Sequence, residues 1–215
     1  MATLVKKSLV DQIYEQLRVE IISQEIAWGE KLNVNELQER FGISSTPIRE
    51  AINRLQKEGL VEYKNNVGAN VIEIGRNDIV EIQEVAMTMD CAAIRFAMET
   101  GEIDAISKEL LEQIKLYQEA KDEITRSHCM EEFSNVFYKY ASNSRLISMS
   151  HLIKGQQGML RSTYGKERKD HSGMEEYNKI YNAVLHGDVD VAINAMEDNY
   201  RKATEVLLDV ICKSK

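Results

Sequence analysis

The chain has 215 residues, 43% of them apolar, and a formal net charge of −8 at pH 7. That length fits one or two domains with a real hydrophobic core, and the acidic balance argues against an indiscriminate polyanion binder. No apolar run approaches the roughly 18 residues that a membrane-spanning helix needs, so no membrane partner is expected.

Ser8 to Gln24 reads as a helix. Val10, Ile13, Tyr14, Leu17 and Ile21 recur on one face, and Ser8 can cap its start. Trp28-Gly29-Glu30-Lys31-Leu32 reads as a turn carrying one large apolar anchor. Val34, Leu37 and Phe41 then recur at helical spacing. The pattern stops at Gly42, restarts with Ile48, Ala51, Ile52 and Leu55, and ends at Gly59. That is helix, tight turn, helix. Gly42 can take the left-handed conformation that ends the first helix. Ser44 or Ser45 can cap the second by accepting a bond from a free backbone N–H. Pro47, the only proline, falls in its first turn, where a missing N–H costs nothing. Leu60 to Ile74 carries strand-like residues around Asn65, Asn66 and Gly68 and reads as a two-stranded wing. Val61, Tyr63, Val71 and Ile72 are expected to face the helices, with Lys64, Asn65 and Asn66 at the tip.

A helix-turn-helix presents the first residues of its second helix to base edges in the major groove of double-stranded DNA. Here these are Ser44, Ser45, Thr46 and Arg49, short hydroxyls and one guanidinium suited to phosphates and bases. Arg54, Lys57 and Lys64 add positive charge on or just after that helix. The local placement matters, because residues 1–75 hold 9 Lys+Arg against 11 Asp+Glu, and residues 76–215 hold 18 against 24. Modest intrinsic affinity and a need for dimerisation follow. The wing tip, basic and amide-bearing beside Gly68, suits a minor groove or phosphates. An ordinary helical hairpin with a polar loop is the plain alternative.

Gly75-Arg76-Asn77 is the expected boundary between a DNA-binding domain over 8–74 and a second domain over 77–213. Beyond it the apolar period stays near 3.6. Helices are expected over Asp78–Glu99, Asp104–Lys121, Ser127–Tyr140, Ser144–Tyr164, Gly173–Leu185 and Val189–Cys212. A turn at Gly187-Asp188 precedes the last of them, with Asp188 as its cap. No strand alternation and no repeat occurs in this half. The expected fold is mainly α: a winged helix-turn-helix with a small β wing, then an all-α antiparallel bundle. Cys91, Cys129 and Cys212 form no CxxC and read as free thiols in a reducing compartment. The N-terminus MATLVKKSLVDQ lacks the apolar stretch of a signal peptide, so the expected location is the cytoplasm.

The stretch FGISSTPIREAINRLQKEGLV, with the wing NNVGANV, resembles the GntR family of bacterial transcription regulators. The helical half resembles the ligand-sensing, FCD-type domain of the FadR subfamily. RNDIVEIQEV opens it, FYKYASNSRL is its middle signature, and YNKIYNAVLHGDVDVAINAMEDNY is its last helical pair. The resemblance implies a homodimer, a palindromic operator, and a small-molecule effector that alters DNA affinity; a repressor is the expected form of such a regulator, with activation left open. Arg49 matches the arginine of the family's recognition-helix motif, Thr46 and Ser44 its hydroxyl positions, and Gly68 the wing glycine. Asn35 and Ser45 stand where many members have arginine. Fewer bidentate guanine contacts are therefore implied, and an operator that differs from the common one. With Arg54, Lys64 and Asn66 these residues make up the expected DNA-binding set.

Many members of that family bind a divalent metal through one aspartate and three histidines. The corresponding positions here are Met130, Ser134, Glu176 and Asn199. The imidazoles and the aspartate are missing, so no family-type metal and no other cofactor is expected. His128, His151, His171 and His186 are scattered. An organic effector can still bind in a bundle interior. Tyr138, Arg161, Asn178 and Tyr181 are the candidate polar groups of such a pocket. Met130, Met159, Met174, Met196, Phe133 and Phe137 suit an adaptable lining and equally an ordinary core.

Two other classes compete. An enzyme with a helical catalytic domain would need a phosphate loop, an HExxH, a nucleophile elbow or a CxxC, and none occurs. The adjacent pairs Glu131/Glu132 and Glu175/Glu176 point different ways on a helix. A helical interaction protein without DNA binding is favoured only by the acidic N-terminal domain.

Overall fold

The computed structural model describes residues 7–65, 67–167 and 174–213, with side chains described as far as residue 210. The elements run α1 (Leu9–Ile22), α2 (Val34–Phe41), α3 (Ser45–Lys57), β1 (Val61–Lys64), β2 (Gly68–Val71), α4 (Arg76–Glu99), α5 (Ile103–Glu119), α6 (Glu123–Tyr140), α7 (Ser144–Ser150), α8 (Lys154–Glu167), α9 (Met174–Leu185) and α10 (Val189–Lys213). Two compact units emerge. One runs up to Ile74 and takes in Lys154–Met159; the other comprises Gly75–Ile153 and the chain from Leu160 onward. No helix among the described residues is long and apolar enough to cross a membrane.

In the first unit, α1 starts on a capping box. The Asp11 N–H donates to Ser8 Oγ at 3.1 Å while the Ser8 N–H donates to the Asp11 carboxylate at 3.1 Å. α2 starts under Asn33, whose side chain accepts from the Asn35 N–H at 3.0 Å. It ends at Gly42, which has φ 68°. The N–H groups of Gly42 and Ile43 both return to the Gln38 carbonyl, closing the helix. Space is open around a Cβ built at Gly42. Gly42→Ala is therefore expected to cost only the backbone strain, about 1 kcal/mol, read as a lower urea midpoint at unchanged slope. Ile48, Ala51, Ile52 and Leu55 of α3 are wholly buried, as are Leu17 and Ile21 of α1. These two helices form the core of the unit.

The wing is an antiparallel pair in the register Val61↔Val71 to Lys64↔Gly68. The segment expected to be a mere turn does more. The Leu32 N–H donates to the Ala69 carbonyl at 2.9 Å and the Val71 N–H to the Glu30 carbonyl at 2.9 Å, with a bridge at Lys31↔Asn70. That satisfies the otherwise open edge of β2.

In the second unit α4 packs against α6 and α10, α5 against α6 and α9, and α9 against α10. These pairings close a ring of five helices around an apolar core. Ala86, Ala93 and Ala97 of α4 let neighbouring helices approach, and Phe133 sits edge-on to Tyr177 with ring centroids 4.7 Å apart. The helix expected over Ser144–Tyr164 is in fact broken between Ser150 and Lys154. Ser148 and Ser150 hydroxyls bond back to the carbonyls of Ser144 and Ile147, and the N–H groups of Leu152 and Ile153 reach only three residues back. Both features compete with the regular ladder and tighten its last turn. α6 starts earlier than Ser127, at Glu123, because Asp122 caps it by accepting from the Thr125 N–H at 2.8 Å. The Gly187-Asp188 turn forms as expected, with Gly187 at φ 72° and Asp188 accepting from the Val191 N–H.

Candidate nucleic-acid interface and the buried centre of the second unit

An α-helix turns about 100° per residue. Opposite the buried face of α3 that spacing places Thr46, Arg49, Glu50 and Asn53, all four exposed. Ser44 is exposed as well and takes the backbone geometry of the N-cap, but its hydroxyl makes no capping bond, contrary to the capping expected of it. An exposed hydroxyl beside the first N–H groups of a helix suits a phosphate. Ser45 is half-buried. Asn35 is exposed on the first turn of α2. Gly68 opens β2 at φ 105°, and its carbonyl accepts from Asn70 Nδ2 at 2.8 Å. Lys64 is exposed and pairs with Glu62 at 3.1 Å. Asn66 lies outside the described residues.

Arg54 is not brought to this ridge. It donates to Asp11 at 2.5 Å and lies 4.2 Å above the centre of the Tyr14 ring. The Ser8 hydroxyl and Arg54 together hold the Asp11 carboxyl down to about 2. Next to this contact, Glu58 of the α3 end accepts from Tyr14 at 2.6 Å and from Arg18 at 2.7 Å. Burial, then Glu58, pushes the Tyr14 phenol up to about 12. This set staples α1 to α3 and fixes the pitch of the ridge. The buried Glu20 carboxylate is held by Arg40, one bond measuring 2.8 Å. Arg40 keeps that carboxyl below its ordinary range.

Tyr63 meets α3 but is not buried by it. It is 47% exposed, and its hydroxyl donates to Asn53 Oδ1 at 3.2 Å. Beyond Val61 no position of β1 is fully buried.

The second unit has a buried polar hub. The Asp90 carboxylate accepts from Ser134 Oγ at 3.0 Å, Tyr138 OH at 2.8 Å and Tyr200 OH at 2.8 Å. Burial, reinforced by Asp90, pushes the Tyr138 and Tyr200 phenols well above their ordinary range. Arg161 sends its guanidinium into the same region, with Tyr200, Tyr177, Glu131 and Asp90 as its electrostatic neighbours. Tyr138 is thus committed to Asp90. Asn178 and Tyr181 are half-buried on α9, Tyr181 against the apolar core, and neither bonds to Asp90.

The four positions of the family metal site carry a thioether, a hydroxyl, a carboxylate and an amide. Met130 and Asn199 are half-buried. Ser134 already donates to Asp90, and the buried Glu176 carboxylate already binds the Lys202 ammonium. No group of three His, Cys, Asp or Glu able to hold a metal occurs among the described residues. His171 lies outside them. This donor set does not fit a divalent ion.

Residues 9–71 match the gntR family of bacterial regulatory proteins, and residues 81–202, more than half of the chain, match the FCD domain. The chain belongs to the gntR family. An uncharacterized HTH-type transcriptional regulator of Bacillus subtilis, YdhC, is 21% identical over 95% of this chain and 93% of its own. The HTH-type transcriptional repressor RspR of Escherichia coli is 33% identical over 40% of this chain and 38% of its own. A GntR transcriptional regulator from Rhodococcus sp. RHA1 superposes with a TM-score of 0.79 at 19% identity, over 94% of this chain and 99% of that one. This GntR protein is a DNA-binding transcriptional regulator with an FCD ligand-binding domain, and not an enzyme.

The GntR motif does not reveal the Asp90 hub. A signal for it was present, since Asp90 occupies a slot of the Ala86–Met89–Ala93–Ala97 stripe where an apolar residue belongs, and Tyr200 continues the stripe of Met196. The Asn53–Tyr63 contact also went unread.

Proposed function

We propose that this regulator is a homodimeric repressor that holds a palindromic operator in double-stranded DNA and releases it when a small organic effector enters the FCD domain. The observation that carries the reading is the exposed ridge of α3, set opposite a face that is wholly buried. Ser44, Ser45, Thr46 and Arg49 contact phosphates and bases, Asn35 approaches from α2, and Lys64 and Gly68 of the wing add contacts beside them. Arg54 acts by holding α3 to α1. Repression is supported by the similarity to RspR, a transcriptional repressor. Tyr138, Arg161, Asn178 and Tyr181 are proposed to line the effector pocket, without a metal ion. The test is a gel-shift titration of genomic duplex fragments across a salt series, because phosphate contacts release counterions. A specific shift that weakens with salt is expected; no shift at low salt would refute the DNA-binding reading. In parallel, dialysis against EDTA is expected to leave both the melting midpoint and the shift unchanged. A melting midpoint that falls on chelation and returns with zinc would overturn the metal-free reading.

A further inference from the structure

We propose that Asn53, oriented by Tyr63 of the wing, reads an adenine in the major groove and sets base preference at one position of each half-site. The proposal rests on the DNA-binding reading above. Asn53 lies one helical turn beyond Arg49 and two beyond Thr46, on the same exposed face of α3. Its side-chain amide has one hydrogen-bond partner among the described residues, the Tyr63 hydroxyl at 3.2 Å. Tyr63 is nearly half exposed on a strand position where an aromatic body would normally be covered. The contact spans the helix and the wing, so the wing holds an amide that would otherwise turn freely.

The orientation decides the chemistry. Tyr63 takes one lone pair of Oδ1. The second lone pair and both Nδ2 hydrogens remain, an adjacent acceptor and donor. Adenine presents the matching pair, an N7 acceptor beside an N6 donor, whereas guanine presents two acceptors, N7 and O6, and so opposes Oδ1. Glu50, exposed on the same face, sets a negative field beside Asn53. That field disfavours a phosphate at this place and leaves a base edge as the partner.

The experiment is selection of bound duplexes from a randomised library by the full-length protein, followed by affinity measurements on the selected site. The wild-type protein is expected to enrich a half-site with adenine at one position. Asn53→Ala is expected to lose the preference there, with about a tenfold fall in affinity for the adenine site, while the other positions and the salt slope stay as they were. Tyr63→Phe is expected to weaken the same preference severalfold without changing any other. If Asn53→Ala selects the same motif with the same weights, the proposal fails. It also fails if the variant weakens all sequences equally, which marks a contact to the DNA backbone and not to a base. If Tyr63→Phe alone has no effect, the orienting role is overturned. Wild-type protein that selects no motif overturns the DNA-binding reading itself. Circular dichroism of the two variants, which alter exposed side chains only, is expected to match wild type.

Discussion

Arg49→Ala is expected to cut operator affinity by about 2 to 6 kcal/mol, at least thirtyfold. A bidentate guanidinium contributes about 1–3 kcal/mol of base discrimination, and the proposed dimer would use it twice. The residue is exposed in the middle of the α3 ridge and forms no ion pair among the described residues. Its removal therefore leaves the core of the first unit and the assembly untouched. Size-exclusion chromatography should give the wild-type elution volume while the gel shift is lost. Unchanged affinity would show that another surface meets the DNA. Arg54→Ala makes the informative control, because Arg54 lies against Asp11 and Tyr14. It should loosen the staple between α1 and α3 and lower affinity far less.

Asp90→Ala should be the most damaging single change to the second unit, at about 3–6 kcal/mol. It leaves the hydroxyls of Ser134, Tyr138 and Tyr200, all on buried residues, without their acceptor, and each such group costs about 1–3 kcal/mol. Adding Ser134→Ala, Tyr138→Phe and Tyr200→Phe to the same chain removes the stranded donors and should recover part of the loss. Denaturant midpoints of the four-fold variant no higher than those of Asp90→Ala alone would mean the hub is incidental. Asp90→Asn should fall between, because an amide oxygen still accepts from two of the three hydroxyls.

How much of this was legible from residues alone depends on the range of the interaction. The α2–α3 turn was readable because its determinants are local: a periodic stripe, Gly42 where the chain must turn left-handed, and Pro47 where no N–H is needed. The turn before α10 was readable for the same reason, from Gly187 and Asp188. The pairing of Glu30 and Leu32 with β2 was not, because it is made by backbone groups that every residue carries. The break after Ser150 was hidden too, since residues 151–153 contain no glycine or proline. The Asp90 hub joins residues 44, 48 and 110 positions apart. No periodicity reports such a meeting, although an acid in an alanine stripe hints that something must receive it. The aim of Arg54 follows from Asp11 and Tyr14 on another helix, which charge placement along α3 alone does not report.

The internal pairing of the first unit reaches beyond stability. Arg18, Arg40 and Arg54 are bound to Glu58, Glu20 and Asp11, and Lys64 to Glu62. Few cations are left to displace ions from a duplex, and each phosphate contact adds only about −0.9 to the logarithmic salt slope. The salt dependence of binding would then be shallow for a DNA-binding protein, set by the few cations of the first unit that no carboxylate already holds.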